Sequence, residues 1–171
     1  LFMREAAAPV VGITGSNAKS TVTELLGQMA RHAGVNVGVG GNLGPPALDI
    51  LSSERELYVL ELSSFQLERA GQLNLAVATV LNISADHLDR HGGLHRYKQI
   101  KQRVFRGCKK VVINRDDPLS APLVDIDVDV VTWGLTEPDQ GGFGLRQKDG
   151  VECLAYDSEI LMPVRELGLT G

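Results

Sequence analysis

Six apolar runs rich in β-branched residues recur along the chain, at Val10 to Thr14, Val35 to Val39, Leu57 to Leu62, Ala76 to Ile83, Val111 to Asn114 and Val128 to Trp133. Most are continuous rather than alternating, the pattern of strands covered on both faces of a parallel sheet. Between them the period changes to that of a helix. Lys19 to Ala33 carries apolar Val22, Leu25, Leu26 and Met29 and ends at Gly34 as a C′ residue. Leu94 to Arg106 places Tyr97, Ile100, Val104 and Phe105 on its buried side. Pro45 to Leu51 and Pro118 to Val124 are shorter candidates, each with proline near its start. Strands alternating with helices predict an α/β domain with a mostly parallel, doubly wound sheet and its ligand at the carboxyl ends of the strands. After Gly134 the texture changes. Glu137 to Gly144 is rich in Gly and Pro, and FGLRQKDGVECLAY reads as two strands joined by Asp149-Gly150, a small antiparallel β appendage.

Composition narrows this picture. A length of 171 residues with a 43% apolar fraction fits one domain with a sizeable core. A net charge of −4 argues against nucleic acid or an anionic membrane as the main partner, since such surfaces need concentrated Lys and Arg. Cys108 and Cys153 have neither metal-site nor disulfide-framework spacing. No apolar stretch approaches a membrane span and the N-terminus lacks the ordered regions of a signal peptide, so a soluble, cytoplasmic protein is expected. The chain opens on Leu1 and closes on PVRELGLTG without a cap or tail, which predicts a piece of a longer protein.

The first apolar run breaks into a Gly-Ser-Asn turn and launches a helix through Lys19-Ser20-Thr21. This is the grammar of a phosphate-binding loop: N–H groups of Gly15 to Lys19 aimed at phosphate oxygens, a helix N-terminus behind them, and the Lys19 ammonium beside them. Ser20 would ligate Mg²⁺. The standard pattern asks for glycine at positions 13 and 18, where this chain has Ile13 and Ala18, so a β-to-α turn with a chance lysine is the competing reading.

Other candidates lie at strand ends. Glu61 closes a continuous apolar run, where a carboxylate needs a partner, and beside a phosphate loop the natural one is Mg²⁺; the alternative is a solvated loop residue. Asn82, Asp86, His87, Asp89 and Arg90 follow the fourth run. Zinc at His87, His91 and His95 would need a continuous helix, which Gly92-Gly93 interrupts, so solvated His91 and His95 and a metal role for His87 alone are preferred. Gly38, Gly40, Gly41 and Gly44 let backbone approach a ligand around Asn42, but GVGGNLG is a weak dinucleotide match, and Val39-Gly40-Gly41 offers no acidic residue for a ribose.

Taken in order, GITGSNAKST, GVGGNLG, YVLELSSFQLE, LNISADHLDRH and YKQIKQRV closely resemble the central ATP-binding domain of the Mur ligases of peptidoglycan synthesis, and ELSSFQLE resembles the D-glutamate-adding branch. The resemblance implies a nucleotide loop of Gly15, Ser16, Asn17, Ala18, Lys19, Ser20 and Thr21, with Lys19 on the β- and γ-phosphates. It implies one Mg²⁺ on Ser20 and Glu61, and a second metal helped by His87 and by a carbamylated Lys101. Asn42 and Ser63 match positions near the γ-phosphate and the substrate carboxylate. The implied catalytic residues are therefore Lys19, His87 and Lys101. The implied partners are ATP, UDP-N-acetylmuramoyl-L-alanine and D-glutamate, joined through an acyl phosphate.

Two departures bear on activity. The family's glycine before the lysine is Ala18 here, which costs on the order of 1 kcal/mol if that position needs a positive φ. The family's N-terminal uridine-nucleotide domain, C-terminal D-glutamate domain and adenine-contacting His-Asn segment are not in this sequence, so the piece alone is expected to be inactive. A nucleotide-binding scaffold without turnover is the alternative; it has no need for Glu61, His87 and Lys101 to converge.

Overall fold

The computed structural model describes residues 1–84, 92–122 and 128–168. Its helices are α1 (Phe2–Glu5), α2 (Lys19–His32), α3 (Ser64–Arg69) and α4 (Leu94–Lys101). The strands are β1 (Val10–Thr14), β2 (Val37–Gly41), β3 (Leu57–Glu61), β4 (Val77–Val80), β5 (Lys110–Asn114), β6 (Asp129–Trp133), β7 (Phe143–Lys148), β8 (Val151–Tyr156) and β9 (Glu159–Pro163). They form one sheet in the order β2-β3-β1-β4-β5-β6-β7-β8-β9, parallel as far as β7 and antiparallel beyond it. The expected α/β class with an antiparallel appendage is what the chain adopts.

Continuous apolar strands are explained by two cores. On one face Tyr58, Leu60, Leu67, Leu75, Tyr97, Ile100, Val104 and Phe105 pack together under α3 and α4. On the other, Ile13, Val37, Val59 and Ala30 pack under α2. Residues of the central strands β1, β3 and β4 therefore meet a core whichever way they point, and no polar alternation survives there, whereas β6 to β9 are partly exposed. Phe2 of α1 joins the first core edge-on to Tyr58, with ring centroids 5.1 Å apart.

Several expectations shift. The helix from Lys19 is rotated from the expected face: Thr23, Gly27 and Ala30 are its buried residues, Val22 and Leu26 pack half-buried beside them, and Leu25 and Met29 are exposed. Gly27 sets this, because a β-carbon there would lie 2.6 Å from Val39 Cγ2; the helix rests on small residues and its larger ones flank the contact. β2 starts at Val37 rather than Val35, since Val35 N closes the end of α2 by donating to Ala30 O at 3.0 Å. The fourth strand stops at Val80. Leu94 to Arg106 is α-helical only to Lys101 and continues as a 3₁₀ turn over Gln102–Phe105. Pro45 to Leu51 contains a 3₁₀ turn, Ala47–Ile50, and Pro118 to Val124 is a turn over residues 118–120, with 123 and 124 outside the described residues. The appendage has a third strand, β9, and the β7–β8 turn is the two-residue Asp149-Gly150 hairpin, both φ positive at 52° and 75°.

Candidate active site

Four chain segments meet at the carboxyl edge of the sheet around β1, which lies between β3 and β4. Pairing of Ile13 with Glu61 and of Thr14 with Val80 brings the loop after β1 beside the ends of both neighbours. Strand alternation then assigns faces. Glu61 shares the α2 side with Val59, and Thr14 shares the α4 side with Gly12.

On the α2 side, Glu61 is 2% exposed, and its carboxylate accepts from Ser20 Oγ at 2.8 Å and from Asn42 Nδ2 at 2.7 Å. Asn42 is aimed by its own backbone, whose N–H donates to Glu61 O at 2.9 Å. Gly41 permits that turn: its φ is +111°, and a β-carbon there would collide with Glu61 O. Ser20, Asn42 and Glu61, chosen from separate stretches of sequence, are thus one cluster. A buried carboxylate whose partners are neutral, with a hydroxyl beside it, is a set of hard oxygen donors short of a positive charge, and it fits Mg²⁺ rather than a soft metal. Among the described residues no three His, Cys, Asp or Glu side chains gather as a metal cluster.

The loop itself departs from expectation in one respect. Ser16 N donates to Asn82 O at 3.0 Å and Asn17 N to Asn82 Oδ1 at 2.8 Å, so these two N–H groups are spent within the protein. The donors left for an anion are those at the start of α2, whose ladder begins only with Val22 N to Ala18 O and which has no side-chain cap. Lys19 Nζ folds back onto Ser16 O at 2.8 Å. Ala18 has φ 61° and ψ 6°, the left-handed conformation that glycine adopts without cost.

On the α4 side stands Lys101, 1% exposed, which residue spacing alone reads as a solvated helix lysine. Its Nζ donates to Thr14 Oγ1 at 3.0 Å and Gly15 O at 2.9 Å, with the Tyr97 ring centroid 5.3 Å away. Thr14 Oγ1 donates onward to Leu62 O at 2.6 Å. Thr14 was not legible as a site residue; a threonine ending a buried strand just before the loop glycine was its one signal. Ser63 is the N-cap of α3 in a reciprocal capping box, its Oγ accepting from Gln66 N at 3.2 Å and its N donating to Gln66 Oε1 at 2.8 Å. The S-x-x-Q spacing of Ser63 to Gln66 announces this helix, which is not among the elements expected from hydrophobic periodicity. His95 is exposed and pairs with Gln99. Asp86, His87, Asp89, Arg90 and His91 lie outside the described residues.

Residues 13–163 match the Mur ligase middle domain. The chain belongs to the Mur ligase family. Curated relatives called UDP-N-acetylmuramoylalanine--D-glutamate ligase match all of it: 60% identical in Pseudomonas syringae pv. syringae (strain B728a), 56% in Pseudomonas aeruginosa and 51% in Hahella chejuensis. The chain spans 38% of the length of each of these relatives. Among solved structures, a UDP-N-acetylmuramoyl-L-alanyl-D-glutamate--2,6-diaminopimelate ligase aligns over 90% of this chain and 38% of its own, with TM-score 0.72 at 23% identity. A MurF ligase from Thermotoga maritima in complex with ADP aligns over 90% and 39%, with TM-score 0.62 at 22% identity. These structural likenesses show that the Mur ligase fold is shared. Among the described residues no helix is long and apolar enough to cross a membrane.

Proposed function

We propose that this chain is the ATP-binding middle domain of a ligase that joins D-glutamate to UDP-N-acetylmuramoyl-L-alanine in the cytoplasm, for peptidoglycan synthesis. The observation that carries the reading is identity of 51–60% over the whole chain to relatives bearing that ligase name. The meeting of Ser20, Glu61 and Asn42 beside an uncapped, lysine-bearing helix start supports it.

In this reading Lys19 leaves Ser16 O for the β- and γ-phosphates, and the free N–H groups at the start of α2 receive phosphate oxygens. Ser20 and Glu61 would hold Mg²⁺, which when bound neutralises the repulsion between a γ-phosphate and an approaching carboxylate. The alanyl carboxylate takes the γ-phosphoryl group as the bond to ADP breaks. The D-glutamate amine then attacks the acyl carbon, loses a proton, and expels phosphate as the amide forms. Asn42 and Ser63 are assigned to the γ-phosphate and substrate carboxylate ends of that path. His87 and a carbamylated Lys101 are assigned to a second metal; burial of Lys101 against the loop supports its place in the site. Contacts to the uridine nucleotide, to D-glutamate and to adenine are assigned to other parts of a longer chain, so residues 1–171 alone make no amide bond.

The test uses the whole protein. Phosphate release should require ATP, UDP-N-acetylmuramoyl-L-alanine and D-glutamate together, and Lys19→Ala should abolish it with circular dichroism unchanged. Turnover retained in Lys19→Ala with a normal KM for ATP would refute the phosphate-loop assignment, and release without D-glutamate would refute the reaction.

A further inference from the structure

The loop after β1 and the segment after β4 hold each other beyond the end of the sheet. Leu81 N donates to Thr14 O at 2.8 Å and Ser16 N to Asn82 O at 3.0 Å, which continues the strand pairing. Where that ladder stops, the Asn82 carboxamide takes over. Its Oδ1 accepts from Asn17 N at 2.8 Å and its Nδ2 donates to Asn17 O at 3.2 Å. Ser16 reciprocates, its Oγ accepting from Ser84 N at 2.9 Å, and Asn17 Nδ2 donates to Ser84 Oγ at 3.2 Å.

The next residue is Ala18, held left-handed at φ 61°. An alanine opposes that conformation, and it persists only where the surroundings over-determine it. Its easiest relief is rotation of the peptide plane between Asn17 and Ala18. Such a flip carries φ of Ala18 to negative values, and it turns the Asn17 carbonyl to where the Ala18 N–H had been. A carbonyl facing the start of α2 would repel a phosphate. The Nδ2 of Asn82 grips the oxygen of that plane, and its Oδ1 fixes the plane before it.

We propose that Asn82 is the positioning residue of the phosphate loop, a side-chain clasp that holds the Asn17–Ala18 peptide plane against the left-handed strain of Ala18. The inference rests on the reading of residues 15–21 as a phosphate site. It assigns to Asn82 a role that acts through backbone rather than through contact with nucleotide.

The test compares Asn82→Ala, Asn82→Asp, Ala18→Gly and the two double variants in the whole protein, by amide hydrogen exchange over residues 14–20 without ligand and by calorimetry with ATP and Mg²⁺. Asn82→Ala should exchange at least tenfold faster in the loop and bind ATP at least tenfold more weakly, with the rest of the domain protected as before. Asn82→Asp keeps the size and the acceptor but loses the donor to Asn17 O, and should show the same exchange. Adding Ala18→Gly should recover about fivefold in both readouts, equivalent to about 1 kcal/mol. A simple loss of packing would not be repaired by glycine at position 18. Unchanged loop exchange in both Asn82 variants, or double variants no better than the single ones, overturns the clasp. If the parent protein does not bind ATP, the phosphate-site reading falls, and the exchange data alone decide whether the clasp exists.

Discussion

Thr14 joins three parts of the site, and replacing its hydroxyl by a methyl isolates what that joint contributes. It is 0% exposed, so Thr14→Val changes neither volume nor burial appreciably. Two partners are lost. Leu62 O, just past the end of β3, loses the hydroxyl that donates at 2.6 Å, and Lys101 Nζ loses an acceptor at 3.0 Å. A buried carbonyl left short of a donor costs about 1–3 kcal/mol, and a charged donor left short of an acceptor is at the upper end of that range. A methyl carbon also needs about 3.3 Å from a carbonyl oxygen, more than this position offers, so some strain is added. The expected loss is about 2–4 kcal/mol. Thr14→Ser keeps both hydrogen bonds and deletes one methyl, which costs about 1 kcal/mol. Urea denaturation followed by Trp133 fluorescence and circular dichroism measures both, with the midpoint compared at constant m. With m of about 2 kcal/mol per M, Thr14→Val should lower the midpoint by about 1–2 M and Thr14→Ser by half that or less. Valine proving as stable as threonine, or more stable than serine, would refute the reasoning, because hydrophobicity and not the hydroxyl would then govern the position.

The remaining expectations concern two of the buried ionisable groups, Lys101 and Cys108. Lys101→Ala in the whole protein should lose ligase activity while staying folded, and small carboxylic acids should restore part of it if a carbamate occupies that place; an alanine variant as active as the parent removes Lys101 from the mechanism. Burial pushes the Cys108 thiol above its ordinary value of 9.0, partly opposed by a backbone hydrogen bond. The folded state therefore keeps that proton to higher pH than the unfolded chain, so this contribution to stability is complete below pH 9 and is lost as pH rises through the folded value. Cys108→Ala should flatten the decline of unfolding free energy above pH 9, and an identical slope in the variant would place the proton release elsewhere.

The order of apolar runs and the helical period between them determined the α/β class, because each reports a local preference that burial on a parallel sheet rewards. They also put Glu61 and Lys19 at the correct end of it: a strand buried on both faces has polar residues only where it leaves the sheet. The Asp149-Gly150 turn was legible for the same reason, a backbone conformation that few dipeptides adopt. Tertiary structure alone decided what depends on partners distant in sequence. Period 3.6 picked out Val22, Leu25, Leu26 and Met29 on α2; Val22 and Leu26 do pack against the core, but the close approach to Val39 at Gly27 centres the contact on Thr23, Gly27 and Ala30 and leaves Leu25 and Met29 exposed. β9 escaped notice because its apolar run, Ile160 to Met162, is only three residues long and ends at Pro163, a pattern that also suits a loop. Lys101 reads as a surface residue by any local measure, and its burial is supported by acceptors on Thr14 and Gly15, 87 and 86 residues away. Asn82 likewise stands in the sequence as a polar residue at a strand end. Its grip on Asn17, 65 residues earlier, arises from the parallel pairing of β1 with β4, which no single stretch of sequence contains.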